Sequence, residues 1–410
     1  MPEAKRRLAF PAPVAVLPGG RALHSFLGIP VPTMAATPKL LLVGDFPPPH
    51  GGVAVHVETV QRAVRSRGGQ CTVLDIGKGQ VPADGVVPAG GYASFTARLF
   101  GHALRGYRIH VHTSGANPKS WALAAMCAAA GKVARVPPLI TFHSGLGPAW
   151  LAEDPARARV AGAVGNAFGR VLAVSEEIRE ALLTCGVARQ RIEVLPAFSS
   201  SFVEPGAPPP CFPELRAEAA PLYCAMLAPG PVYGAQVLLR AFAEVHARNP
   251  RARLALYGPG TLELDLARSA GEAAGAVRPF GELHRAVALA LIGGSDVFVR
   301  PTLADGDSVS LREAVVLGRV VVATAVGTRP AEARLVPPGD SRALADALSE
   351  AAEARPVLRL ARESDPGADC IDRLLALYGF DSGEEPAPAP RPHRSRPSVE
   401  GSACAASAAS

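Results

Sequence analysis

The sequence predicts an α/β protein made of two doubly wound, parallel-sheet domains in tandem. Three observations carry this. Short β runs alternate with helical stretches, the pattern of a parallel sheet covered by helices on both faces. A single proline-rich break, with Pro205, Pro208, Pro209, Pro210, Pro213 and Pro221, interrupts that alternation. A second series of the same kind follows it. The length agrees, since 410 residues at about 150 per domain is two to three domains.

The first series opens with an apolar run at residues 39–44 and a Pro/Gly loop. Val53, Val57, Val60 and Val64 then recur at helical spacing and predict a helix with one apolar face. Residues 71–76, 108–112, 139–142, 171–174 and 191–195 supply further β runs. After the break, strands are expected over 222–227, 252–257, 277–280, 296–300 and 319–323, and helices over 235–249 and 308–317. The resulting division is a first domain over 38–203, a linker over 204–220, and a second domain with a C-terminal helix over 221–380. In such sheets ligands bind at the carboxyl ends of the strands, here in the cleft between domains.

Both ends read differently. Lys5-Arg6-Arg7 followed by an apolar stretch looks like a signal peptide, but Pro11, Pro13 and Pro18 interrupt it. Met34 stands just ahead of the first strand as a natural start. We therefore expect residues 1–37 to be disordered, and to include an over-extended start. Residues 381–410 are rich in Pro, Ala, Ser and Arg and are expected to be a disordered tail, because they cannot offset chain entropy by burial.

Composition excludes several classes. With 48% hydrophobic residues the chain is not wholly disordered. The net charge is +6, of which residues 1–38 hold +3 through Lys5, Arg6, Arg7 and Arg21 against Glu3. The middle has no basic run and aromatics are only 5%, so nucleic acid is not an expected partner. Seven scattered cysteines without a Cys-x-x-Cys suggest neither a disulfide framework nor zinc, and fit a reducing cytoplasm. The apolar run at 121–131 is too short to span a membrane and reads as a buried helix.

Four segments carry candidate chemistry. Asp45 to Gly52 follows the first strand. Its Gly51-Gly52 pair would let backbone approach a ligand, and the next helix N-terminus offers free N–H groups; a plain turn fits as well. Thr141-Phe142-His143 ends a strand and would aim His143 into the cleft, as a ligand contact or as a satisfied loop residue. Residues 300–314 are the richest segment. A strand ending in Arg300 leads into Asp305-Gly306-Asp307-Ser308-Val309, and a helix begins near Ser308 and carries Glu313. Amides there could bind sugar hydroxyls and Glu313 a ribose diol, although Ser310-x-x-Glu313 is also a capping-box pattern. Asp305-x-Asp307 does not make a complete metal site. Tyr257-Gly258-Pro259-Gly260 follows another strand and could admit a base or phosphate, or simply turn the chain.

Taken in order, these segments resemble the retaining glycosyltransferases of family 4, with the GT-B fold. The resemblance covers about residues 39–380. It rests on the Pro-Pro-x-x-Gly-Gly loop, Thr-x-His, Ala173-Val174-Ser175, Leu195-Pro196, Tyr233-Gly234, Tyr257 to Gly260, Phe280-Gly281-Glu282-Leu283, Asp305-x7-Glu313 and Gly339-Asp340. It implies two Rossmann-like domains facing a central cleft, and transfer of a sugar from a nucleotide-sugar to an acceptor hydroxyl with retention. Glu313 would hold the ribose. Asp305 and the amides of Gly306, Asp307, Ser308 and Val309 would hold the donor sugar and diphosphate. Tyr233, Gly234, Gly258, Gly260 and Arg300 would complete the donor site, and His143, Gly51 and Gly52 would line the reaction centre. No metal or other cofactor is expected. The partners implied are the nucleotide-sugar and a glycan or lipid-linked acceptor, met in the cytoplasm or at the inner face of a membrane.

The sequence departs from the family in two places. The first acid is Asp305, one methylene short of Glu. The Arg and Lys usual before the first helix of the second domain are missing from Met226 to Gly234, leaving Arg300, another cleft arginine, or Tyr233 with backbone amides as a substitute. A weakened or non-catalytic nucleotide-sugar binder and a GT-B sugar epimerase therefore remain open readings.

Overall fold

The computed structural model describes residues 38–77, 79, 82–353 and 370–380. The expectations for residues 1–37 and 381–410 lie outside these. The first series forms strands β1 (Lys39–Gly44), β2 (Gln70–Asp75), β3 (Val86–Pro88), β4 (Arg108–Thr113), β5 (Leu139–Phe142), β6 (Arg170–Ala173) and β7 (Ile192–Val194). Its helices are α1 (Gly52–Ser66), α2 (Tyr92–Leu104), α3 (Pro118–Ala134), α4 (Leu146–Ala152), α5 (Pro155–Gly165) and α6 (Glu176–Thr184). All seven strands pair in parallel, in the order β3-β2-β1-β4-β5-β6-β7.

Helix α7 (Phe212–Glu218) leads into the second series. There follow β8 (Leu222–Met226), α8 (Ala235–Arg248), β9 (Arg253–Tyr257), α9 (Leu266–Ala270), β10 (Val277–Pro279), α10 (Arg285–Gly294), β11 (Val297–Arg300), α11 (Val309–Val316), β12 (Val320–Thr324), β13 (Arg334–Val336), α12 (Ser341–Glu353) and α13 (Cys370–Tyr378). The six strands are again parallel, ordered β10-β9-β8-β11-β12-β13. Strand order reverses between β1 and β4 in one sheet and between β8 and β11 in the other. The loops leaving these four strands are therefore where a doubly wound sheet binds its ligand.

Alternation within the strands builds two cores per sheet. Leu41, Val43, Ile109, Val111 and Ile140 face one helical layer, with Phe95, Leu99, Trp121 and Ala124 of α2 and α3. Leu40, Leu42, Val73 and Leu139 face the other, with Val57, Val60 and Val64 of α1. Residues 121–131 are thus a core helix, as expected. In the second sheet Tyr223, Leu254 and Val299 pack on α8 and α12. Cys224, Ala255 and Phe298 pack on α7, α10 and α11. Among the described residues no helix is long and apolar enough to cross a membrane.

Three features differ from expectation. The linker is not wholly irregular: with Pro213 in its first turn, α7 buries Phe212 and Leu215 against the second sheet. The short edge strands β3 and β13 were not foreseen. The C-terminal helix, expected in the second domain, packs on the first instead. Cys370, Ile371, Leu374, Leu375 and Tyr378 of α13 complete the core beside α1, and Arg373 pairs with Glu193 at 2.6 and 2.8 Å.

Candidate active site

A cleft of about 400 Å³ opens between the carboxyl ends of the two sheets. His143, Gly51 and Gly52 line it from the first sheet. Tyr233, Gly258, Arg300, Asp305, Gly306, Asp307, Ser308, Val309 and Glu313 line it from the second. The expected residues are brought together, except Gly234 and Gly260, which lie outside the lining.

Gly234 and Gly258 serve the turns. Gly234 has φ +71° and Gly258 φ +114°, and a Cβ on either would lie 2.0 Å from a backbone oxygen of Pro301 or Leu227. At Gly51 a Cβ would meet nothing within 4 Å, so there the small residue keeps space open beside the start of α1.

The acidic loop after β11 is held by arginines. Asp305 Oδ2 accepts from Arg300 Nε at 2.9 Å, Arg329 Nη1 at 3.2 Å and Thr302 Oγ1 at 3.3 Å. Among the described residues its Oδ1 accepts from the Gly306 amide alone, at 3.1 Å. Burial alone would raise this carboxyl's pKa, but the Arg300 and Arg329 guanidiniums hold it below the usual carboxylate value. Arg329 also donates to the Thr324 carbonyl at 3.0 Å and to Thr302 Oγ1 at 3.0 Å, which fixes it behind the loop. Arg300 lies with its guanidinium carbon 5.7 Å from the Tyr233 ring centre. Asp307 turns away to Arg312 Nε at 2.7 Å.

Ser308 caps α11, its Oγ accepting from the Leu311 amide at 3.4 Å. The capping box on Ser310 is therefore not formed, and Glu313 is free for another partner. That partner is Arg285, the first residue of α10, whose Nε and Nη2 both lie 3.0 Å from Glu313 Oε1. Burial raises the Glu313 pKa and Arg285 opposes the shift. Sequence reasoning did not single out Arg285 or Arg329. Each is a lone arginine with no motif, and only the fold carries it to a carboxylate 28 or 24 residues away.

The two sides of the cleft touch. The His50 amide donates to Glu282 Oε1 at 3.0 Å, and the His50 and His284 rings meet edge-on at 5.1 Å. On the first-sheet side His143 stands beside three further histidines, His56, His110 and His112, which sequence reasoning also passed over. His112 Nδ1 lies 3.1 Å from His143 Nε2. Among the described residues no group of three or more His, Cys, Asp or Glu side chains has an arrangement that could hold a metal ion.

Two family models match the chain. The model described as Glycosyltransferase Family 4 matches residues 50–198. The model described as Glycosyl transferases group 1 matches residues 220–354. Together they span most of both sheets and both walls of the cleft, and the chain belongs to the family 4-type glycosyltransferases. No curated protein matches the chain. Solved structures share its fold. HepE from Anabaena, in complex with UDP-glucose, is 18% identical over 82% of this chain and 94% of that one, with a TM-score of 0.58. WaaG, a glycosyltransferase involved in lipopolysaccharide biosynthesis, is 13% identical over 83% and 100%, with a TM-score of 0.62. OtsA is 15% identical over 84% and 99%, with a TM-score of 0.59. The fold is thus GT-B.

Proposed function

We propose that this glycosyltransferase moves a hexose from a nucleotide-sugar to an acceptor hydroxyl with retention of configuration. One observation carries the reading: both carboxylates of the Asp305-x7-Glu313 element line the cleft, each with one oxygen engaged by arginine and acceptor capacity remaining on the other, although Asp305 Oδ1 also accepts from the Gly306 amide. In this reading Glu313 Oε2 holds the ribose diol and Asp305 Oδ1 takes a hydroxyl of the donor sugar. Amides around Gly306 to Val309 hold the sugar and diphosphate side, and His143 contacts the sugar from the other wall. Because HepE was solved with UDP and with UDP-glucose, a uridine diphosphate sugar is the first donor to try.

Departure of the nucleoside diphosphate needs positive charge. The loop from Leu227 to Gly234 has none, but Arg300 and Arg285 line the cleft. We assign them the role of the missing Arg and Lys. Their preorganised charge stabilises the leaving group electrostatically, so the reading requires no metal. The acceptor is taken to be a glycan or a lipid-linked sugar, reached by a cytoplasmic enzyme that touches the inner face of a membrane. The exposed Tyr92 and Leu104 at the ends of α2, 83% and 77% accessible, support such contact.

The cation-free loop also favours a second reading, a binder that no longer transfers. A nucleotide-sugar panel with acceptor mixtures, followed by mass spectrometry, separates the two. Nucleotide release with glycosylated product is expected; binding without release in every arm would support the binder. The anomeric coupling constant of the product tests retention.

A further inference from the structure

His143 lines the cleft from the first-sheet side, and its neighbours decide which of its nitrogens carries the proton. Those neighbours are histidines. His56 comes from α1, and His110 and His112 from one face of β4. The His56 ring lies 5.4 Å from that of His112 and 5.5 Å from that of His143. Burial lowers the pKa of all four, to about 4 for His56 and about 3 for His110. At neutral pH each ring is therefore uncharged and carries a single N–H.

The hydrogen bonds restrict where each proton can be. His110 has both nitrogens engaged by hydroxyls, Tyr378 at 2.6 Å and Thr141 at 2.8 Å. The 3.1 Å contact between His112 Nδ1 and His143 Nε2 holds one proton, given by one ring or the other. Were His143 the donor, His112 would have to carry its proton on Nε2. That atom is buried without a hydrogen-bond partner among the described residues, and a buried orphan N–H is a costly group. With His112 as donor, its Nε2 is only a bare lone pair, which is easier to bury. His143 then carries its own proton on Nδ1, the ring nitrogen not engaged by His112.

We propose that His112 is a positioning residue that fixes His143 as the Nδ1–H tautomer, so that His143 offers a hydrogen-bond donor to an oxygen of the bound sugar rather than a base. The kinetic side of this rests on the nucleotide-sugar reading above; the tautomer does not.

Long-range proton–nitrogen correlation spectra of protein labelled with 15N-histidine, at pH 7.5, test it directly. The His143 signals are assigned by their loss in His143→Gln. A protonated-type Nδ1 and a bare-type Nε2 are expected, and the reverse pattern overturns the proposal whether or not the protein transfers sugar. A kinetic arm uses two variants. His112→Leu removes the N–H, whereas His112→Asn keeps an N–H near the Nδ1 position. With the donor found by the panel, His112→Leu is expected to lower kcat by about 10- to 100-fold. UDP affinity by calorimetry should stay within about threefold, and His112→Asn should recover most of the loss. Equal kcat in all three proteins, or an equal loss in both variants, overturns the positioning role.

Discussion

The carboxylate of Asp305 shows how a shorter side chain can occupy the position of a glutamate. Its Oδ2 is saturated by Arg300, Arg329 and Thr302, and only Oδ1 retains acceptor capacity. Arg300→Ala should leave the fold intact, because Arg329 still neutralises Asp305. Turnover should fall by about 100-fold or more, the usual size for loss of one preorganised group facing developing negative charge. Unchanged donor affinity and turnover would remove Arg300 from the diphosphate site. Arg285→Gln acts on the other carboxylate. It leaves Glu313, 6% exposed, without its counter-charge, and burial then acts unopposed on the pKa. Donor affinity should weaken by about tenfold or more, with a steeper loss toward lower pH than in wild type, because removal of the guanidinium raises the Glu313 pKa further. Titrating UDP at pH 7 and pH 9 checks this, and parallel behaviour of wild type and variant would count against it. Asp305 and Glu313 were legible in the sequence because their spacing is local to one loop and helix. Arg285, Arg329 and His112 were not, since their meaning lies in partners that only the sheet topology supplies. His110 and His112 did leave a signal: two histidines at period two inside an apolar strand share one face.

At the scale of elements, two loops approach so closely that neither has room for a side chain. A Cβ on Gly145 would lie 1.8 Å from the Asp305 carbonyl oxygen, and one on Gly306 would lie 2.3 Å from that of His143. The start of α4 and the acidic loop before α11 therefore meet backbone to backbone. Gly145→Ala should push the two loops apart without touching either core. Expected is a loss in turnover on the order of 100-fold from misplacement alone, with an unchanged far-UV spectrum; activity near wild type would show that the loops part during the reaction. Strands were legible in the sequence where the apolar run is continuous, as in β1 and β8. Legibility failed at β3 and β13, three residues each at sheet edges, where pairing to the neighbouring strand rather than composition makes the strand, while β7 and β10, equally short and at the opposite edges, were legible. It also failed at α7, since a proline in the first turn starts a helix and the surrounding prolines read as linker.

For the whole molecule, the buried histidines tie stability to pH. Their pKa values are lowered in the folded state, to about 4 in His56 and about 3 in His110, against about 6.5 when unfolded. The unfolded chain therefore binds protons that the folded chain refuses. Stability is full above pH about 6.5 and falls as the pH drops toward the folded values. Each such ring contributes a slope of up to about 1.4 kcal/mol per pH unit in that window. Urea midpoints between pH 7.5 and 5 should decline steeply, and a flat profile would contradict neutral burial of the cluster. The return of α13 to the first sheet has a consequence of its own, in the order of synthesis. The layer around α1 stays open until Tyr378 leaves the ribosome, long after β7 is made. Some 180 residues separate the two, or roughly 10–40 s of translation at about 5–20 residues per second. The second domain has its complete set of strands before the first has its last helix, so the nascent chain must shield the unfinished layer beneath Leu40, Leu42 and Val73 while its neighbour folds.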